Sequence, residues 1–301
     1  MKNYIVTTTI QAPTEATIKF SSMPNWKLIV VGDKKTPHHL YEKINCLYLH
    51  PDEQEKLYPN LSNCLGWNTI QRRNIGFVHA YNLGAEIMAT VDDDNIPYDY
   101  WGSDVLVNKE VEIDLWKSNN GYFDPLSVTK DNHLWHRGYP LEMVKSKNDV
   151  VYLGKKKRKV LVQADLWDGD PDVDAMCRLP HKPLIKYEIS SPYGSQDISP
   201  FNSQNTFVAR EIIPYYMMLP FVGRMDDIWG CYNLYNIFSN FVVYNKSTVY
   251  QERNKQDLVT NLEKEIIGYR NTLKLLTGEK SLFEISDQSH NAYIIYRECF
   301  K

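Results

Sequence analysis

Five residues, Ile87-Met88-Ala89-Thr90-Val91, run directly into Asp92-Asp93-Asp94. A run this apolar and β-branched reads as a strand buried on both faces. The chain must therefore leave its core at the point where three carboxylates begin. Adjacent carboxylates repel, and each is costly to bury, so such a cluster belongs in open solvent or around a cation. On extended backbone, residues two apart face the same way. Asp92 and Asp94 can thus share one Mg²⁺ or Mn²⁺; a solvated acidic loop is the plainer reading.

The preceding segments repeat the pattern. Tyr4–Thr9 (YIVTTT) reads as a strand, Lys27–Val31 (KLIVV) as a second that stops at Gly32-Asp33, and Cys46–Leu49 (CLYL) as a short third. Trp67 to Leu83 carries Ile70, Phe77, Ala80 and Tyr81 at helical spacing, with Gly84 at the C′ position. Strand–helix alternation of this kind predicts a doubly wound α/β sheet, which binds ligands outside the carboxyl ends of its strands. Asp33 and the triplet both sit at such ends. Residues 95 to 220 read as loops with short strands, and Lys155–Lys159 (KKKRK) as a solvated loop or hairpin turn, with a phosphate contact as the alternative. Two apolar helical stripes follow, Asp227–Phe238 and Asp257–Leu276.

Asp226-Asp227 opens the first of those helices. Acids there cap the helix and complement its dipole, or serve as a general base. Arg72-Arg73 is a solvated helix face or a diphosphate clamp, since guanidinium forks match phosphate oxygens. Asp33 either forms a turn or accepts a bond from a base or ribose. No P-loop, GxSxG or GxGxxG occurs, which removes P-loop kinases, serine hydrolases of the elbow type and typical dinucleotide dehydrogenases. The net charge of −3 argues against a nucleic-acid partner. Five scattered cysteines without a CxxC pair suggest reduced thiols, and no apolar run approaches a membrane span, so a cytoplasmic protein is expected.

Five blocks, in order, resemble known glycosyltransferases. Val31-Gly32-Asp33-Lys34-Lys35-Thr36-Pro37, Arg72-Arg73-Asn74-Ile75-Gly76-Phe77 with the acidic triplet, and Ser199-Pro200-Phe201-Asn202-Ser203-Gln204-Asn205-Thr206 are similar to STELLO-type domains. Gly223-Arg224-Met225-Asp226-Asp227-Ile228-Trp229 resembles both STELLO proteins and the reversibly glycosylated polypeptides, the UDP-arabinopyranose mutases. Arg137-Gly138-Tyr139-Pro140 echoes the mutases. The blocks cover about residues 5 to 255.

The resemblance implies a GT-A fold: a Rossmann-like nucleotide-binding half fused to an acceptor-binding half, here with C-terminal helices. One domain over 1–301 is expected, divided into 1–95 for the nucleotide sugar, 96–250 for the acceptor and catalysis, and 251–301 as a helical extension. It implies a UDP-sugar donor, a glycan or small-molecule acceptor, and Mn²⁺ or Mg²⁺. By that likeness Asp92 and Asp94 hold the metal, and Asp93 belongs to the nucleotide site. Asp33 reads the base with Thr7, Thr8 and Thr9 near it, and Arg72 pairs with the diphosphate. Asp226 or Asp227 faces the sugar, and Arg137 joins the catalytic set. Many GT-A enzymes supply a late His to the metal; the matching stretch, Val249 to Asn254, has none, and Glu252 is the substitute. Plant STELLO proteins also carry a membrane anchor and a second domain absent from this sequence. The leading expectation is a metal-dependent glycosyltransferase. A nucleotide-sugar mutase and a non-catalytic nucleotide-sugar-binding scaffold are the alternatives.

Overall fold

The computed structural model describes residues 2–181, 183–253 and 257–300. The N-terminal half alternates as the sequence predicts: β1 (Asn3–Thr9), α1 (Glu15–Phe20), β2 (Trp26–Gly32), β3 (Cys46–Leu49), α2 (Pro51–Leu57), α3 (Pro59–Leu65), α4 (Arg73–Asn82) and β4 (Ile87–Val91). β1 pairs in parallel with β2 and β4, and β2 in parallel with β3. All five residues of β4 are buried. The expected helix from Trp67 is shorter than its periodicity: a 3₁₀ turn over Ile70–Arg72 precedes α4.

The second half differs most from expectation. It holds β5 (Asn95–Pro97), β6 (Glu110–Ser118), β7 (Val150–Lys159), β8 (Val162–Gly169), α5 (Ala175–Arg178), β9 (Tyr193–Ser195), β10 (Asn205–Ala209), α6 (Asp226–Leu234) and β11 (Val242–Gln251). These strands extend the same sheet, in the order β3-β2-β1-β4-β10-β8-β11-β9-β6-β7, with β5 on β11. The Lys155–Lys159 run is no turn. It lies in β7 at the sheet's edge, where Lys155 meets Glu112 at 3.6 Å and Lys159 meets Glu211 at 3.1 Å. Lysines along an exposed edge discourage pairing with other chains. Cross-strand charge pairs there add a few tenths of a kcal/mol each, on the order of 0.2–1.

α7 (Leu258–Leu276), α8 (Leu282–Ile285) and α9 (Asp287–Glu298) follow. They pack back onto the body: the Tyr296 hydroxyl donates to Ile213 O at 2.7 Å, and Phe300 meets the Tyr81 ring edge-on at 4.9 Å.

Two glycines let these layers approach. A Cβ on Gly76 in α4 would stand 2.4 Å from Val6 Cγ1 and 2.8 Å from Val31 Cγ2, so α4 lies directly on β1 and β2. Gly223, at φ +60°, lies so close to α7 that a Cβ would meet Lys264 O at 2.0 Å.

β1 sits between β2 and β4, so the chain's direction of winding reverses beside it. That reversal is where doubly wound sheets open a crevice. Thr9, at the end of β1, donates to Asp93 Oδ2 at 2.5 Å across the mouth of that crevice.

Candidate active site

A cleft of about 430 Å³ opens beyond the carboxyl end of β4. Asp92, Asp94, Asp226 and Asp227 line it, with Gln71, Arg137, Arg224, Arg253 and Lys264 among the other lining residues. Each carboxylate has a different fate.

Asp92 accepts from Arg73 Nη2 at 2.6 Å through Oδ1, and its Oδ2 has no partner among the described residues. Asp93 turns aside to Thr9, while its carbonyl accepts from Thr14 Oγ1 at 2.6 Å. Burial pushes its carboxyl above the ordinary range. Asp94 Oδ1 is buried without a hydrogen-bond partner. Burial, reinforced by the Asp92 charge, pushes the Asp94 carboxyl up to about 7.

Across the cleft, Asp227 is saturated. It accepts from Arg137 Nη2 at 3.0 Å, Ser203 N at 2.9 Å, Ser203 Oγ at 3.1 Å and Ile228 N at 2.9 Å. Asp226 accepts one side-chain bond, from Gln71 Nε2 at 2.8 Å. Burial, with the Asp227 charge beside it, pushes the Asp226 carboxyl up to about 7. A carboxylate that releases its proton near neutrality is suited to general-base work. The pair that reads identically in sequence is thus one carboxylate saturated by hydrogen bonds and one held by a single side-chain amide.

Arg137 is not free to act on a substrate. Its Nε and Nη2 clasp Asp172 at 2.9 and 2.8 Å, Nη2 also reaches Asp227, and Nη1 donates to Arg224 O. Burial alone would lower its pKa, but Asp172 and Asp227 hold it firmly protonated. Asp172, unremarked in the sequence, is wholly buried. Burial alone would raise it, yet Arg137 and Arg253 hold it well below the usual carboxylate range. This ring fixes Asp227 and, through the chain, Asp226. Arg137, expected in the catalytic set, is thus bonded within the protein at every nitrogen.

Arg72 corrects another expectation. It is fully buried away from the cleft, with Nε on Gln54 Oε1 at 3.0 Å and Nη1 on Ser62 O at 2.9 Å, its guanidinium 3.7 Å from the Trp67 ring centroid. A helix turns about 100° per residue, so adjacent arginines face different ways. Arg73 is the one that reaches the acidic motif, and its Nη1 also bonds Ser203 O at 2.9 Å. Asn74 exchanges bonds with the backbone of Met218 at 2.8 and 2.9 Å. The Arg72-Arg73-Asn74-Ile75-Gly76 block is a bolt joining the two halves rather than a ligand clamp.

Asp33 is 1% exposed and accepts from the backbone of Lys34 at 2.7 Å and Thr69 at 3.2 Å. It holds a loop and presents no open face to a base. Thr8 donates to Val31 O at 2.8 Å, and the Thr7 hydroxyl is buried without a partner inside the sheet. Of the three threonines only Thr9 reaches the site. Glu252 is exposed and lines a neighbouring hollow of about 340 Å³ with Asp93 and Asp94, beyond Arg253.

Among the described residues, no three His, Cys, Asp or Glu converge to hold a metal by themselves. The unpartnered Asp94 oxygen and the open side of Asp92 still fit a divalent cation that takes one or two carboxylates and completes its shell from substrate phosphates. No described helix is long and apolar enough to cross a membrane.

No family model matches the chain. It is 23% identical over 186 residues to STELLO2 of Arabidopsis thaliana, described as a probable glycosyltransferase, covering 58% of this chain and 24% of that protein. Against STELLO1 of the same plant, likewise described, it is 23% identical over 268 residues, covering 81% and 34%. The chain is thus a distant homologue that spans a quarter to a third of the length of these relatives. In three dimensions it is similar to glucosyl-3-phosphoglycerate synthase of Mycobacterium tuberculosis crystallised with phosphoglyceric acid. The TM-score is 0.50 and the identity 11%, over 93% of this chain and 81% of that one. The chain has the GT-A fold.

Proposed function

We propose that the chain is a metal-dependent glycosyltransferase that moves a sugar from a UDP-sugar to a hydroxyl acceptor. One observation carries the reading most: two carboxyls pushed up to about 7, Asp94 and Asp226, line the same cleft at the switch point of a GT-A sheet. Asp94 lacks a partner and suits a cation; Asp226 is held by a single amide and suits a proton. A divalent ion held by Asp94 and the free oxygen of Asp92 would offset charge building on the leaving diphosphate.

The chain's own residues do the rest. Arg73 orients Asp92, and Thr9 draws Asp93 out of the way. Gln71 fixes the Asp226 carboxylate, which takes the proton of the acceptor hydroxyl as the C1–O bond to diphosphate breaks. Asp227, locked by Arg137 and Ser203, keeps the first turn of α6 in register and adds the negative charge that raises Asp226. The homology to STELLO proteins supports the reaction class, and the Mycobacterium enzyme shares the fold that serves it. In the mutase alternative Arg137 acts directly on the substrate; here each of its nitrogens is bonded within the protein.

The test is thermal denaturation with UDP, GDP, dTDP and CMP, each with and without Mn²⁺, followed by assay of UDP release from UDP-sugars. Stabilisation by UDP only when Mn²⁺ is present, with turnover lost in Asp226→Asn, is the expected result. No stabilisation by any nucleotide would overturn the proposal, and stabilisation without turnover would leave the non-catalytic nucleotide-sugar-binding alternative.

A further inference from the structure

At the opposite end of β4 lies a larger cavity, of about 730 Å³, within the size range of small-molecule sites. Arg210 follows β10, and its backbone N–H donates to Glu86 O at 3.0 Å, just before β4 begins. The length of β4, roughly 17 Å at 3.4 Å per residue, therefore separates it from the acidic triplet.

Two arginines from different elements enter this cavity. The Arg210 guanidinium lies over the Tyr81 ring at 3.7 Å, with Nη1 on Tyr81 O at 2.8 Å and Ala85 O at 3.0 Å. Arg297, in the last turn of α9, lies over the Tyr215 ring at 3.5 Å, with Nη1 on Pro214 O at 2.9 Å. Each is fixed by a ring and a backbone carbonyl through the same nitrogen. The Nε and Nη2 edge of each, the edge that grips an oxyanion with two parallel bonds, has no partner among the described residues. Neither forms an ion pair among the described residues, although two carboxylates line the cavity. Glu211 is engaged by Lys159 at 3.1 Å, and the Glu86 side chain is exposed with no partner among the described residues. Two unpaired, pre-oriented cations in one cavity repel each other, and an oxyanion between them reverses the sign of that interaction. The Glu86 carboxylate and the Asn108 amide, which also lines the cavity, supply acceptors and donors suited to hydroxyl groups.

We infer that this cavity binds a hydroxylated phosphate ester of the sugar-phosphate type. The phosphate meets the open edges of Arg210 and Arg297, and the hydroxyls meet Glu86 and Asn108. The site is separate from the proposed donor cleft and does not depend on its chemistry.

Isothermal titration with glucose 6-phosphate, inorganic phosphate and glucose tests it on the whole chain. Glucose 6-phosphate should bind more tightly than inorganic phosphate, and glucose alone should give no signal. Arg297→Lys and Arg210→Lys keep the charge but lose the fork, and each should weaken the phosphate ligands about tenfold or more. Glu86→Gln, an exposed change, should remove the preference for the sugar phosphate over phosphate. No binding of glucose 6-phosphate at about 10 mM, ten times a millimolar Kd, would overturn the inference. So would binding that both lysine variants, folded as judged by thermal denaturation, leave unchanged.

Discussion

Asp226→Asn should stabilise the protein at alkaline pH while lowering turnover. The carboxyl is 6% exposed and pushed up from 3.8 to about 7 by burial and by Asp227. A carboxyl whose folded pKa lies above its unfolded value binds its proton more tightly when folded. Its ionisation therefore costs stability, beginning near the unfolded pKa and levelling off above the folded one. About three units at 1.36 kcal/mol each sets a ceiling of about 4 kcal/mol. Because Asp226 and Asp227 share the effect, a gain of about 2 kcal/mol is the working expectation, or about 3 °C in Tm for a chain this size. Asparagine keeps an oxygen for Gln71 Nε2, so the one side-chain bond survives. Thermal unfolding of both proteins from about pH 4 to pH 9 would show curves that coincide at the acid end, diverge up to about pH 7, and run parallel beyond. The wild-type rate should rise with an apparent pKa near 7, and that limb should vanish in the variant. A variant destabilised at alkaline pH, or one whose gain is the same at every pH, would refute the reasoning.

Asp227→Asn should do the reverse of its neighbour, costing about 1–3 kcal/mol because Ser203 N, Ser203 Oγ and Ile228 N lose a charged acceptor while Asp172 still balances Arg137; denaturant titration reads it directly. Asp94→Asn should leave the fold intact and abolish the Mn²⁺-dependent part of UDP stabilisation, measured as the difference in Tm with and without the ion. Arg72→Ala should lower stability through loss of its bonds to Gln54 and Ser62 yet leave UDP affinity unchanged, and weakened affinity in a folded variant would return Arg72 to the donor site. Gly76→Ala should cost about 1–3 kcal/mol, since its Cβ would overlap Val6 and Val31 and force α4 off the sheet.

The N-terminal half was readable because β1, β2 and β4 are buried on both faces and so appear as continuous apolar runs. β6 and β7 were not, because β6 is buried at only a few positions and no residue of β7 is fully buried. Glu110-Val111-Glu112-Ile113 alternates over only a few residues, and the lysines of β7 mask its pattern entirely. The acidic motif was readable for the same reason as β4: an abrupt change from apolar to charged marks a strand end whatever the fold. Arg73 was within reach of the argument, since only one of two adjacent helical arginines can face a given sheet end, but choosing between them needed the phase of α4. The 3₁₀ turn over Ile70–Arg72 sets that phase, and periodicity did not show it.

Asp172, Arg253 and Ser203 were beyond reach for a different reason. Each is distant in sequence from the residue it holds, and an isolated Asp or Arg carries no local sign of burial. Their common effect explains why two Asp residues side by side behave differently. Arg137 and Ser203 satisfy Asp227 and leave Asp226 with one amide. Arg73 satisfies one oxygen of Asp92, and Asp94 is left with nothing on Oδ1. In both acidic clusters one carboxylate is bound tightly by the protein, and its charge, together with burial, makes a neighbouring carboxylate avid for a positive partner. Arg253 near Asp94, and Arg137 and Arg224 near Asp226, offset this only in part, and none of them forms an ion pair with either carboxylate among the described residues. A proton can meet that need at Asp226 and a cation at Asp94, and the separation of those two roles is set by which carboxylate the arginines reach.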